Sequence, residues 1–166
     1  MSYINTILAT DKQFSPLALR LPMGIIFVAH GAQKLFGAFG GYGLEGTGQF
    51  MESIGLTPGV LMAGAAGSAE FFGGLLLIVG LLTRPAAAAL AVTMVVAILS
   101  VHIGNGLFMD KGGYEFGLAL LAGTVSLLIS GAGRLSVDNA WSRYISRAAT
   151  PQQQATFAQR TASVSQ

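Results

Sequence analysis

Five ionisable side chains stand within or beside long apolar stretches of this sequence, and they are the residues best placed to do chemistry: His30, Lys34, Glu70, His102 and Glu115. Such groups are costly in hydrocarbon and usually face a cavity or a partner. A carboxyl group and an imidazole of matched proton affinity can pass a proton between them. His30 and Glu70 are therefore candidates for a proton relay, although the sequence commits no residue to catalysis.

Two interpretations of this set of side chains compete. Quinone carbonyls need nearby hydrogen-bond donors and a proton route, and histidine, lysine and glutamate together supply both. The leading functional hypothesis is a quinone- or lipid-like ligand site formed by the five residues and Phe71. In the alternative, Lys–Glu and His–Glu pairs satisfy one another and only hold the helices together.

A metal ion or a haem is a weaker hypothesis for the same residues. Two histidines on two helices could ligate a haem, or a metal together with carboxylates. However, the sequence lacks the Glu-x-x-His repeat of di-iron bundles. His30 and His102 are also predicted to differ in depth by about 6 Å, at a helical rise of about 1.5 Å per residue. We therefore predict no metal site and no certain cofactor, with a quinone as the main candidate.

Four apolar stretches position these side chains, namely residues 16–36, 58–82, 85–106 and 114–130. A membrane-spanning helix needs about 20 apolar residues. Pro16, Pro58 and Pro85 stand at predicted helix starts, where a missing N–H costs no hydrogen bond. Helical rise places Glu70 near the membrane midplane and the other ionisable residues further out in the same half. The predicted fold is all-α, an integral membrane four-helix transmembrane bundle over residues 16–134.

The composition excludes several classes of function. Apolar residues make up 52% of the chain and charged residues only 10%, against about 25% charged residues in ordinary soluble domains. This excludes a water-soluble enzyme, a nucleic-acid binder and a disordered chain. The chain has no cysteine, which excludes thiol redox chemistry and thiolate metal sites of its own. The first fifteen residues are mostly polar, so we expect no cleaved signal peptide.

The distribution of lysine and arginine predicts the orientation. Seven of these residues fall on the side of both termini and two on the other: Lys12, Arg20, Arg84, Arg134, Arg143, Arg147 and Arg160 against Lys34 and Lys111. Positive charge accumulates on the cytoplasmic side, so both termini are predicted to be cytoplasmic. Arg20, near the cytoplasmic end of the first span, is expected to reach the headgroups with no special role.

Three segments are predicted outside the bundle, besides an N-terminal cytoplasmic segment of residues 1–15. In the loop after the first span, a short helix from Thr47 through Glu52 could be a lid or an interfacial connector. Residues 135–149 are predicted to form an amphipathic helix on the cytoplasmic leaflet, with Trp141 on its apolar face. Residues 150–166 are rich in Gln, Ser and Thr and are predicted to be a disordered tail.

Small residues at four-residue spacing predict close helix contacts. Ala65, Ala69 and Gly73 have this spacing in the second span, and Ala119 and Gly123 have it in the fourth. The spacing alone does not distinguish contacts within the bundle from contacts between copies of the chain.

Several short motifs, in this order, resemble the DoxX family of small bacterial membrane proteins. They are residues 23–37 (MGIIFVAHGAQKLFG), 50–55 (FMESIG), 69–75 (AEFFGGL), 80–84 (GLLTR), His102 with Asn105-Gly106, Tyr114-Glu115 and 131–138 (GAGRLSVD). The resemblance covers about residues 16–140, and the order and spacing of the motifs make it specific. It implies a four-helix bundle in the bacterial inner membrane, with the five ionisable residues at recurring polar positions of the family.

The resemblance also implies a loose association with redox reactions. A related DoxD-type subunit belongs to a thiosulfate:quinone oxidoreductase, and some DoxX proteins are linked to oxidative-stress and thiol-related complexes. The expected function is a redox-associated membrane subunit, whose thiol chemistry would belong to a partner because this chain has no cysteine. A non-enzymatic scaffold or assembly partner is the alternative, and a small-solute or proton pathway ranks third. Compatible partners are the lipid bilayer, oxidoreductase subunits and further copies of the chain, but not nucleic acid.

Overall fold

The computed structural model describes residues 14–148, with side chains through residue 145, and its regular structure over these residues is entirely helical. The helices are α1 (Ser15–Phe36), α2 (Gly43–Ser53), α3 (Gly59–Val79), α4 (Thr83–Ala97), α5 (Glu115–Ser130) and α6 (Val137–Ala148). A π-helical turn, Ile98–His102, and a 3-10 turn, Ile103–Asn105, continue α4. The predicted all-α class is confirmed.

Three of these helices are long and apolar enough to cross a membrane: Ser15–Phe36, Gly59–Val79 and Thr83–Asn105. The predicted fourth span is the apolar helix α5, which has only 16 residues, or roughly 24 Å at the helical rise. It packs against α1 and α4, while α3 packs against α1 and α4. The four helices thus form a closed bundle, and α5 is its shortest span once α4 is counted with its continuation to Asn105.

Each bundle helix contributes a large, fully buried apolar side chain to a common core: Phe27, Leu77, Leu90 and Leu127. Because lipid tails are as apolar as leucine, close packing rather than escape from the surroundings holds membrane helices together. This core layer lies between two polar regions, which we name by the two ends of the bundle. The loop end comprises residues 37–58 and 106–114. The arginine end is the opposite end of the bundle, where Arg20, Arg84, Arg134 and Arg143 lie.

Glycines meet at two levels between the antiparallel helices α1 and α3. A Cβ added at Gly24 would lie 2.7 Å from the carbonyl oxygen of Gly74, and one at Gly31 would lie 2.8 Å from that of Gly67. Real Cβ atoms essentially never come this close to a backbone oxygen. The two helices can therefore approach this closely only because both contacts lack side chains.

The small residues singled out by spacing have other neighbours. Ala65 is exposed, so it does not contribute to the contact between α1 and α3. Gly73 faces Leu90 of α4, and Gly123 of α5 faces Met23 of α1. Small residues therefore do mark close helix contacts within the bundle. At the tightest contact, between α1 and α3, the small residues of α3 are Gly67 and Gly74 rather than Ala65 and Ala69.

The expectation for Arg20 is wrong. Its side chain is only 1% exposed and does not reach out to the membrane surface. The guanidinium donates hydrogen bonds to the carbonyl oxygens of Leu77 at 2.9 Å, of Ile78 at 2.6 Å, and of Leu135. The last carbonyls of a helix have no partner within the helix, and Arg20 satisfies two of them at the end of α3.

Helix α6 is fixed to the same end of the bundle. The carboxylate of Asp138 accepts hydrogen bonds from the backbone N–H of Leu82 at 2.7 Å and of Thr83 at 3.0 Å, where α4 begins. Trp141, Tyr144 and Ile145 of α6 are exposed, and the amphipathic interfacial helix predicted over residues 135–149 stays a prediction. Its placement on a leaflet stays a prediction, and residues 1–13 and 149–166, including the predicted tail, lie outside the described part of the chain.

At the loop end, α2 packs across the start of α3. The predicted short helix is present, but it begins at Gly43 rather than at Thr47, which is a buried residue within it. Gly48 lies against Val60, and the Glu52 carboxylate accepts a hydrogen bond from the N–H of Gly59 at 3.2 Å. The segment between α1 and α3 is therefore an ordered part of the loop end.

Candidate functional site

An ion pair between α1 and α3 forms the centre of the candidate site. Lys34 Nζ and Glu70 Oε2 are 2.6 Å apart. The Glu70 side chain is only 4% exposed, whereas that of Lys34 is 25% exposed. The structure therefore encloses the carboxylate and leaves part of the lysine accessible from outside the bundle.

Glycines on both helices make this ion pair possible. Gly31 stands three residues before Lys34, and Gly67 stands three residues before Glu70. Residues three apart share a helix face, so each charged side chain adjoins the level where the two backbones meet. The close approach brings a lysine and a short carboxylate side chain together without bending either helix.

His30 connects this pair to α5. It lies one turn before Lys34 on α1, within electrostatic range of both Lys34 and Glu70. Its ring centroid is 6.1 Å from that of Phe116 on α5. The carboxylate of Glu70 is hydrogen bonded to Lys34, so Lys34 rather than His30 is its direct partner in this structure.

Three phenylalanines stand within two residues of the ion pair in sequence, and their rings contact one another. Phe71, next to Glu70 in sequence, makes edge-to-face contacts with Phe36 and with Phe72, each at a centroid distance of 5.3 Å. Phe36 is 66% exposed and Phe72 is 56% exposed. The outward rings give the site an apolar and aromatic approach from the membrane side.

His102 and Glu115 belong to a different group of contacts. The Nδ1 atom of His102 is 2.7 Å from the carbonyl oxygen of Gly112. The carboxylate of Glu115 accepts a hydrogen bond from the N–H of Met109 at 2.7 Å. Both side chains therefore hold the loop between α4 and α5. The six predicted site residues thus divide into a central group of His30, Lys34, Glu70 and Phe71 and a loop group of His102 and Glu115.

The central group carries donors and an acceptor suited to a polar ligand. An ammonium group has three N–H donors, and one of those of Lys34 is directed at Glu70. An imidazole can exchange a proton near neutral pH. Over residues 14–148, no three histidine, aspartate or glutamate side chains are grouped so as to hold a metal ion. Two open cavities lie at the arginine end, away from the central group.

Sequence reasoning missed three contributors to the site: Gly31, Gly67 and Phe116. The signal for the two glycines was present, because each precedes a charged residue by the same three-residue spacing. No comparable signal existed for Phe116, whose contact with His30 depends on how α5 packs against α1.

Comparisons with known proteins agree with this architecture. The sequence profile of the DoxX family matches residues 15–103, which contain His30, Lys34, Glu70, Phe71 and His102. A Bacillus subtilis protein named "Putative oxidoreductase CatD" is 36% identical over 126 residues, which are 76% of this chain and 86% of that protein. An uncharacterized membrane protein of Mycobacterium tuberculosis is 34% identical over 140 residues, covering 78% of this chain and 82% of its own length. An uncharacterized Haemophilus influenzae protein is 33% identical over 128 residues, which cover 73% of this chain and 86% of that protein. No solved structure matches the chain significantly.

Proposed function

Because this chain belongs to the DoxX family, we propose that it is a redox-associated membrane subunit that holds a quinone- or lipid-like ligand beside Lys34 and Glu70. The observation that carries the proposal is the asymmetry of the ion pair. Its carboxylate is enclosed, while the lysine side chain is partly accessible, and Phe36 and Phe72, each two residues away from a member of the pair in sequence, are exposed. The name of the Bacillus subtilis relative supports the redox association.

Each residue of the central group has a distinct role in this proposal. Lys34 donates a hydrogen bond to a ligand carbonyl, and Glu70 orients the ammonium group for it. His30 takes up or releases a proton one helical turn away. Phe36, Phe71 and Phe72 flank the ligand ring. A quinone accepts electrons and protons at its carbonyl oxygens, and the electrons would come from a partner subunit because this chain has no cysteine.

We further place the protein in the bacterial inner membrane with both termini cytoplasmic. The excess of lysine and arginine on the terminal side supports this orientation, and the central group then lies in the outer half. Since the chain has no cysteine, Ser53→Cys and Ser165→Cys each introduce a single reporter. An impermeant thiol reagent applied to intact cells should label the cysteine at position 53 and spare that at 165. The reverse pattern would overturn the orientation.

Analysis of bound molecules tests the ligand site directly. The full chain is purified in mild detergent, and co-purified quinones and lipids are extracted and quantified by mass spectrometry. We expect quinone in amounts approaching one per chain in the unmodified protein and a loss of at least about tenfold in Glu70→Gln. Glu45→Gln, which changes an exposed carboxylate on α2, is the matched control and should retain the ligand. Equal quinone content in all three proteins would contradict the site.

A structural scaffold remains the second candidate, and one observation favours it. The ion pair is short and sits where α1 and α3 are closest, as a pair that only holds helices together would. If the ion pair is only structural, Glu70→Gln lowers the stability of the protein, and the unmodified protein carries no bound ligand. A solute or proton pathway has less support, because the buried apolar side chains of Met23 and Phe27 lie between Arg20 and Lys34 along α1.

A further inference from the structure

A cationic cavity opens at the arginine end, remote from the central group. Its volume is about 830 Å³. Three arginines line it, together with the polar side chains of Asn139 and Ser142: Arg84 at the start of α4, Arg134 in the segment after α5, and Arg143 on α6. These side chains come from three separate parts of the chain, so the fold assembles the positive charge at one place.

The lining of this cavity also includes one carboxylate. Asp138 is the carboxylate among the lining residues, and its two oxygens accept the N–H groups of Leu82 and Thr83. By contrast, Arg84 donates to the carbonyl of Ile129 at 3.2 Å, and Arg143 has a long contact of 3.5 Å with Asn139. A guanidinium has five N–H donors, so each of these two arginines keeps donors for an anion. Phosphate suits guanidinium groups because it accepts paired hydrogen bonds.

An apolar groove adjoins the cationic cavity and shares two of its arginines. This second cavity, of about 740 Å³, is lined by Leu135, Ala140 and Tyr144 as well as by Arg134 and Arg143. Trp141, Tyr144 and Ile145 of α6 are 64%, 72% and 51% exposed. Tryptophan and tyrosine concentrate at membrane interfaces. A charged cavity beside an apolar groove matches a molecule with a phosphate at one end and hydrocarbon at the other.

We propose that the arginine end binds one anionic phospholipid, whose phosphate contacts Arg84 and Arg143 while its glycerol and acyl portions lie along Leu135 and Tyr144. Such a lipid bridges α4, α6 and the segment between α5 and α6, and it thereby holds α6 against the bundle. Free phosphate would satisfy only the cationic cavity and would leave the adjoining apolar groove unused.

Thermal melting of the purified full chain in neutral detergent tests this site. We expect phosphatidylglycerol to raise the melting temperature in a saturable manner, and phosphatidylcholine and inorganic phosphate to have no comparable effect. An equal shift with phosphatidylcholine would overturn the proposal in favour of a general lipid effect. An equal shift with inorganic phosphate would reassign the cavity to a free anion.

Variants localise the effect to the arginines. Arg143 lies on an exposed face of α6. The substitution Arg143→Gln should raise the half-saturating phosphatidylglycerol concentration by at least about fivefold, as expected for the loss of one charged hydrogen bond. Lys111→Gln removes an exposed cation at the loop end and should leave it unchanged. Each shift is measured from the variant's own melting temperature without lipid, and native mass spectrometry counts the bound lipid independently. Equal behaviour of the two variants in both measurements would refute the site.

Discussion

Arg20 and Lys34 are both cations of helix α1, yet their surroundings differ in kind. Arg20 is 1% exposed and donates to backbone carbonyls of α3 and of the segment before α6. Lys34 is 25% exposed and is hydrogen bonded to a side chain, Glu70. The guanidinium of Arg20 offers five N–H donors and joins three carbonyl oxygens at once, whereas Lys34 forms a single ion pair and stays partly accessible. The arginine end is therefore suited to fixing helices, and the central group is suited to contact with a ligand.

Replacement of Arg20 should have the largest effect on stability. Arg20→Met leaves the carbonyl oxygens of Ile78 and Leu135 without this donor and leaves that of Leu77 with only the N–H of Gly80. At about 1–3 kcal/mol for each buried group, we expect a loss of roughly 3–6 kcal/mol. Arg20→Lys should rescue little, because one ammonium group cannot reproduce the planar arrangement of the guanidinium. Melting temperatures in detergent provide the measurement. A lysine variant as stable as the unmodified protein would show that charge alone matters at this end.

Separation of Lys34 from Glu70 should have the next largest effect. Lys34→Met leaves a buried carboxylate without its counter-charge, at a cost of about 3–5 kcal/mol. Combining it with Glu70→Gln removes both charges and should recover much of that stability. If the double variant is stable but contains no quinone, the ion pair serves the ligand. If it is stable and retains unchanged partner-dependent activity, the ion pair is structural and the ligand hypothesis fails.

Loss of a glycine contact should be smaller. At Gly31 a Cβ would overlap the backbone of α3, which cannot move aside as a flexible side chain would. We expect Gly31→Ala to cost about 1–3 kcal/mol, as overpacking usually does. The control on α3 is Gly64→Ala, whose Cβ would lie 3.7 Å from Leu44 and should not destabilise. Equal melting temperatures of these two variants would contradict the close approach of α1 and α3.

The smallest effect is expected at the start of α4. Asp138→Ala removes the acceptor for two backbone N–H groups, so a loss of about 1–2 kcal/mol is typical of a helix cap. Limited proteolysis should then cleave near α6 faster while the bundle stays intact. An unchanged cleavage rate would show that other contacts hold α6.

Much of this architecture was predictable from composition and helix length. The apolar stretches, the all-α class and the group around Glu70 follow from the cost of placing polar groups in hydrocarbon. The distribution of the ionisable residues between two groups was not predictable. His102 and Glu115 are predicted at the same membrane depth as Lys34, but their contacts depend on the path of the loop between α4 and α5.

Arg20 illustrates the same limit at the other end of the bundle. Its position in the sequence, one and a half turns into a span, is equally compatible with a side chain that extends to the headgroups and with one that turns inward. The choice depends on the unpaired carbonyls at the end of α3 and on the segment that returns after α5. Those groups are more than fifty residues away in sequence, so no local pattern reveals them.

The paired glycines of α1 and α3 also fix the register of the two helices. Gly24 and Gly31 are seven residues apart, as are Gly67 and Gly74, so a slide of one heptad, about 10 Å, would still bring one glycine of each helix together. That slipped alignment would leave Glu70 in the low-dielectric interior with Lys34 displaced by the same distance. A buried polar pair can thus select one alignment among several that packing alone permits. Lys34 and Glu70 therefore distinguish the native alignment from its nearest competitor, whatever else they bind.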